Sequence, residues 1–83
     1  MAEQKLLKLI ISKVNGPVFD GEVVSVIVPG VEGVMTILSD HEALISPLQK
    51  GVIIIQKSDG KEETYNIETG TLEISNNQAT VLI

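Results

Sequence analysis

Val, Ile and Leu fall in short runs of about five to eight residues, each closed off by Gly, Pro, Asn or Asp, and this spacing suits strands but no helix of useful length. The chain therefore reads as all-β. The runs cover residues 6–13, 22–28, 33–38, 43–48, 52–57, 62–67, 70–75 and 79–83. Asn15-Gly16-Pro17 breaks the first run. The second should stop at Pro29-Gly30, because proline has no amide hydrogen for a sheet ladder. In Ser58-Asp59-Gly60-Lys61, the central Asp-Gly pair predicts a type I′ hairpin turn. Tyr65 and Ile67 alternate with Thr64, Asn66 and Glu68, and Leu72 and Ile74 with Thr71 and Glu73, so each of these strands has one buried and one wet face. About eight or nine short strands separated by turn signals every eight to twelve residues or so point to a sandwich or barrel.

Length and charge exclude much else. A chain of 83 residues makes a single domain, 1–83, that buries only about 60% of its unfolded surface and has no room for a spacious cleft. Eleven acidic against six basic residues leave a net charge of −5, which repels a phosphate backbone, so no nucleic-acid partner is expected. Every basic residue is a lysine, so no guanidinium fork is present to grip a nucleotide phosphate. The absence of cysteine removes thiol catalysis and disulfides and fits a reducing compartment. No apolar run approaches the roughly 20 residues a membrane helix requires, and no signal-peptide pattern opens the chain. Direct membrane insertion is not expected.

The only histidine stands in Ser39-Asp40-His41-Glu42. Neighbours on an extended chain point to opposite sides, so these residues do not converge as a catalytic triad. A metal would need further ligands from another strand, and there is no second histidine. No catalytic, cofactor or metal residues are assigned. Ser39 and Asp40 are expected to bond the loop backbone, with His41 solvated or in contact with a partner. Phe19 and Tyr65, the only aromatic residues, belong in or near the core and make no stacking platform. Gly16, Gly30, Gly33, Gly51 and Gly70 close strands, where positive backbone dihedrals are expected. Residues 22–28 and 52–55 are apolar at nearly every position, which suits either two-sided core packing or one face docked on another protein.

The ordered series Phe19-Asp20-Gly21, Val26-Ile27-Val28-Pro29-Gly30 with Gly33, Ile37, His41, Leu44, Leu48, Gly51, Gly70-Thr71-Leu72-Glu73-Ile74 and Ala79-Thr80-Val81-Leu82 resembles the amino-terminal domain of the ATP synthase epsilon subunit. The likeness runs over nearly the whole chain. It departs where the family usually has Gly-Ile-Tyr-Pro-x-His-Ala-Pro-Leu: here Thr36-Ile37-Leu38-Ser39-Asp40-His41-Glu42-Ala43-Leu44 keeps the histidine but lacks the glycine and both prolines. The family's carboxy-terminal helical pair has no counterpart up to Ile83, so the inhibition and nucleotide binding associated with it are not carried over. The resemblance implies a flattened β-sandwich of about ten short strands in the central stalk of a proton-translocating ATP synthase. It further implies a non-catalytic coupling subunit, peripheral on the cytoplasmic face of the energy-transducing inner membrane, with the gamma subunit and the membrane rotor ring as partners. Gamma-facing positions fall at Lys13, His41 and Ser46, and the ring-facing loop at Val31, Glu32, Gly33 and Val34. The position of Val34 is acidic in some relatives, so the resemblance carries no ionic contact there.

Two readings from other classes stand behind this one. Lipoyl or biotinyl carrier domains are also acidic all-β modules and display a lysine at a hairpin tip, for which Lys61 is the candidate; the residues flanking it do not resemble the attachment motif. An enzyme built on Asp40, His41 and Glu42 ranks last.

Overall fold

The computed structural model describes residues 5–83. Its nine strands are β1 (Leu7–Lys13), β2 (Gly16–Val23), β3 (Ser25–Gly30), β4 (Gly33–Leu38), β5 (Leu44–Leu48), β6 (Gly51–Gln56), β7 (Glu62–Ile67), β8 (Gly70–Ser75) and β9 (Gln78–Leu82). Hydrogen bonding follows the order β2-β1-β9-β8-β5-β3-β6-β7, with β4 on the free side of β3. The path folds back on itself where β5 meets β3. There the ladder shrinks to the single pair Gly30↔Leu48, helped by Val31 N–H on the Pro47 carbonyl and Gln49 N–H on the Pro29 carbonyl. The result is a curled all-β sandwich, with β2, β1, β9, β8 and β5 in one layer and β4, β3, β6 and β7 in the other.

Period-two alternation sets what lies between the layers. Leu7, Leu9 and Ile11 of β1 face inward with Ala79 and Val81 of β9 and Leu72 and Ile74 of β8, and Val26, Val28, Ile37, Ile53 and Ile55 close the core from the other side. No polar or charged residue is buried among the described residues. Phe19 and Tyr65 pack at the margin of this core, as expected. The faces expected for 62–67 and 70–75 are also those observed, Ile67, Leu72 and Ile74 being buried.

Several expectations give way. Residues 22–28 are not one strand: β2 ends at Val23 and β3 begins at Ser25. Between them Val24 crosses between layers and donates its amide to the Gln56 carbonyl, so apolar residues on both sides of the break serve two different layers. The segment that begins at Gly16-Pro17 is itself strand, not merely a break. Pro17 is accepted there because β2 is a sheet edge, opposite a shift in register at Ile11/Ser12. The next strand does end at Pro29-Gly30, as expected, with Pro29 itself inside it. The β3–β6 ladder runs only from Ser25 to Ile27, and the partner changes to β5 at Gly30, so Pro29 occupies the gap where an amide donor is not required. The nine strands agree with the count expected, and residues 39–42 form a loop as expected.

Turn chemistry is also redistributed. Between β6 and β7, Gly60 N–H closes on the Lys57 carbonyl and Lys57 N–H on the Lys61 carbonyl, and Gly60 alone has a positive φ (85°). This is a three-residue loop with a glycine bulge rather than type I′. The type I′ pattern, positive φ at both central residues, occurs instead at Asn76 (50°) and Asn77 (58°) between β8 and β9. Among the glycines expected in positive-φ conformations, Gly16 and Gly33 adopt one, whereas Gly30, Gly51 and Gly70 do not. Those three stand where neighbouring atoms leave no space for a side chain.

At the β6–β7 hairpin the Tyr65 hydroxyl donates to Glu63 Oε2 at 3.2 Å while Lys57 Nζ reaches Glu63 Oε1 at 3.2 Å. Partial burial, then the Glu63 charge and its hydrogen bond, push the Tyr65 phenol above the usual tyrosine range. A raised folded-state pKa means that this contribution is present below the unfolded value of about 10 and is lost as pH rises through the folded one. The phenolate absorbance of this single tyrosine should therefore titrate later in the folded protein than in denaturant, and Glu63→Gln should bring it earlier. Equal midpoints in folded and denatured protein would refute the assignment.

Candidate docking surface and the His41 loop

The β4 and β5 edges face each other across a groove of about 310 Å³, walled by Glu32, Gly33, Val34 and Met35 on one side and by residues 44–47 on the other. Alternation along β5 turns Leu44 and Leu48 inward and leaves Ile45 on the outer face opposite Glu73. Ile45 is 70% exposed and Val34 73% exposed. Large apolar side chains kept this wet around a concavity are candidates for covering by a partner. Ile27 and Ile54 also pair with each other, on the outward face of the second layer.

Candidate positions taken from the family resemblance are thus partly united. The loop Val31, Glu32, Gly33 and Val34 is exposed at the β3–β4 turn, and all but Val31 line the groove. Ser46 stands on the opposite wall, its hydroxyl donating to the Pro47 carbonyl at 3.3 Å. One groove therefore joins a position assigned to gamma and a loop assigned to the ring. Lys13 lies apart, exposed at the end of β1 and lining a second groove of about 230 Å³ with Asn66, Glu68 and Ile83. His41 lies elsewhere again, beside the β8–β9 turn and the start of β1. Because β1 runs parallel to β9, Lys13 and His41 occupy opposite ends of one layer, about 20 Å apart by strand rise.

The His41 loop is held from outside. Neither Ser39 nor Asp40 makes the expected side-chain bond to the loop backbone among the described residues. Instead Asp40 N–H donates to Asn77 Oδ1 at 2.7 Å, and Asn77 Nδ2 donates to the Leu6 carbonyl at 2.9 Å. Asp40 takes a positive φ of 61°, and its carboxylate is 3.9 Å from Lys5 Nζ in an exposed pair. His41 Nδ1 lies 2.8 Å from the Glu42 carbonyl; that oxygen can only accept, so Nδ1 carries the proton and Nε2 is the acceptor when the ring is neutral. No cluster of three or more potential metal ligands exists among the described residues. Asp40, His41 and Glu42 do not converge on a common point, since the only bond within the triplet is ring to backbone.

Ile45 and Asn77 are the positions that sequence reasoning missed. Ile45 had a signal: alternation along 43–48 with Leu44 and Leu48 inward leaves it outward. Asn77 had none, because its role depends on segments about 40 and 70 residues away in sequence.

Together the architecture and this surface define a class, a small curled β-sandwich with a groove between two strand edges that two exposed apolar side chains, Val34 and Ile45, line. Residues 6–83 match the family described as the ATP synthase, Delta/Epsilon chain, beta-sandwich domain. The chain is 46% identical over 77 residues to the ATP synthase epsilon chain of a Nitratiruptor species, covering 93% of this chain and 60% of that one. The fold superposes with a TM-score of 0.88 on a chain of the Euglena gracilis mitochondrial ATP synthase structure titled OSCP/F1/c-ring in rotational state 1, at 19% identity, covering 93% of this chain and 49% of the other. It superposes at 0.75 on a chain of the Tetrahymena thermophila mitochondrial ATP synthase central stalk/c-ring structure, at 12% identity, covering 98% and 65%. The chain belongs to the ATP synthase delta/epsilon β-sandwich family, and it spans 60% of the length of the Nitratiruptor relative.

Proposed function

We propose that this β-sandwich serves a non-catalytic epsilon subunit in the central stalk of a proton-translocating ATP synthase, linking the gamma subunit to the membrane rotor ring. The family match over residues 6–83 is the observation that carries this reading. A closely packed sandwich has few low-energy deformations, so it transmits torque with little stored strain. No helix among the described residues is long and apolar enough to cross a membrane, and attachment as a peripheral part of the membrane-bound complex follows from docking. Lys13, His41 and Ser46 are the gamma-facing positions of this proposal and Val31, Glu32, Gly33 and Val34 the ring-facing loop. With Lys13 and His41 at opposite ends of a layer, a gamma surface touching both must be elongated.

The carrier reading gains nothing from the hairpin. Lys61 does not occupy the tip: its amide donates to Asp59 Oδ1 at 2.9 Å and its carbonyl closes the loop to Lys57, leaving Ser58, Asp59 and Gly60 outermost.

The test is binding of the purified protein to separately folded gamma subunit and rotor ring. A lasting contact should bury more than about 1,000 Å², and His41→Ala should weaken gamma binding by about 1 kcal/mol, close to five-fold. Absence of binding to either folded partner would overturn the proposal.

A further inference from the structure

Ser39 and Asp40 form a turn and residues 41–43 have no regular structure, and among the described residues no backbone hydrogen bond outside the strand ladders ties this loop to another segment. Its close tie to the body of the sandwich is the 2.7 Å bond from Asp40 N–H to Asn77 Oδ1. The Lys5–Asp40 pair is long at 3.9 Å and exposed on both sides, so water and salt screen it. Asn77 is itself fixed from two directions. Its Nδ2 donates to the Leu6 carbonyl at 2.9 Å, and its own carbonyl accepts from Lys8 N–H at 3.2 Å. One side chain thus joins the β8–β9 turn, the residue preceding β1 and the loop bearing His41. The type I′ turn makes this possible: positive φ at Asn76 and Asn77 is a conformation that asparagine tolerates and most residues resist.

We propose that Asn77 is the positioning residue of the His41 loop, holding it through the Asp40 amide in the geometry in which it meets a partner. The docking half of this statement rests on the function proposed above; the positioning half does not. Asp40 also has a left-handed backbone, which aspartate, like asparagine, adopts more readily than most residues, and the bond to Asn77 falls on the amide of this turn residue.

Amide hydrogen exchange and gamma binding on the intact chain test the two halves. In the unsubstituted protein the Asp40 amide should exchange at least about ten-fold more slowly than those of Glu42 and Ala43. Asn77→Gly keeps the backbone conformation easy while deleting both side-chain bonds, and should raise Asp40 exchange by about ten-fold with β8 and β9 still protected. Gamma binding should fall about five-fold, as for loss of one ordinary hydrogen bond. In a His41→Ala background the same change should cost no further affinity, an outcome a merely stabilising turn residue would not give. Asp40 exchange as fast as Glu42 in the unsubstituted protein, or unchanged in Asn77→Gly, overturns the positioning role. An undiminished loss of affinity in the His41→Ala background overturns its link to docking. If His41→Ala alone leaves gamma binding intact, the docking reading falls and the Asp40 exchange rates still decide the positioning role.

Discussion

Leu72→Ala should lower the unfolding free energy by about 2–5 kcal/mol, the cost of lost transfer energy plus an incompletely collapsed cavity. Leu72 is fully buried in β8, with Val81 of β9 and Ser46 of β5 directly opposite. The neighbouring strands are fixed by their own ladders, which limits how far they can close on the space left behind. For a chain this small the expected loss is a large part of the roughly 5–15 kcal/mol available to ordinary domains. Urea unfolding followed by far-ultraviolet circular dichroism measures it. Thr71→Ala, on the exposed face of the same strand, should stay within about 0.5 kcal/mol and serves as the control. A loss below about 1 kcal/mol at Leu72 would mean that this core position is less constrained than its burial indicates.

Gly30→Ala should cost about 1–3 kcal/mol through overpacking rather than through backbone conformation. An added Cβ would stand 2.6 Å from the Gly33 carbonyl oxygen and 2.9 Å from Met35 Cε. The methionine end can swing aside, but the carbonyl belongs to the backbone of the β3–β4 hairpin and moves only if the hairpin opens. Gly30 is also where β3 pairs with β5 and β4 at once. Pushing the hairpin outward therefore strains the single pair that joins the two layers and displaces one wall of the groove. In a chain of this size each kcal/mol corresponds to roughly 4–8 °C of melting temperature, so thermal unfolding resolves the effect. An unchanged melting temperature would show that the hairpin yields without cost.

Strand existence and strand faces were legible because both are local. Leu72 and Ile74 against Thr71 and Glu73 announce a half-buried strand without reference to any other segment, and the structure buries the first pair. The resemblance that led to the family rests on residue order alone, and the match over residues 6–83 agrees with it. One boundary was not legible because it lies where the partner strand changes. Val24 looks like one more residue in an apolar run, and only the crossing between layers makes it a boundary. Pro29-Gly30 does close β3, and the switch from β6 to β5 at that point removes the need for the missing proline donor. Asp-Gly was the stronger local signal for a type I′ turn, but Asn76-Asn77 adopts it, as the Ser75↔Gln78 register requires.

The amino-acid order by itself settled that this chain is β throughout and which side of most strands is dry, since alternation depends only on nearest neighbours. Tertiary structure alone decided which residues meet: that Ser46 and Val34 share a groove, that Lys13 and His41 stand at opposite ends of a layer, and that Asn77 holds the His41 loop. The reason is physical. Pairing between distant strands and a hydrogen bond spanning 37 positions are fixed by how the whole sheet curls, and no short window of sequence contains that information.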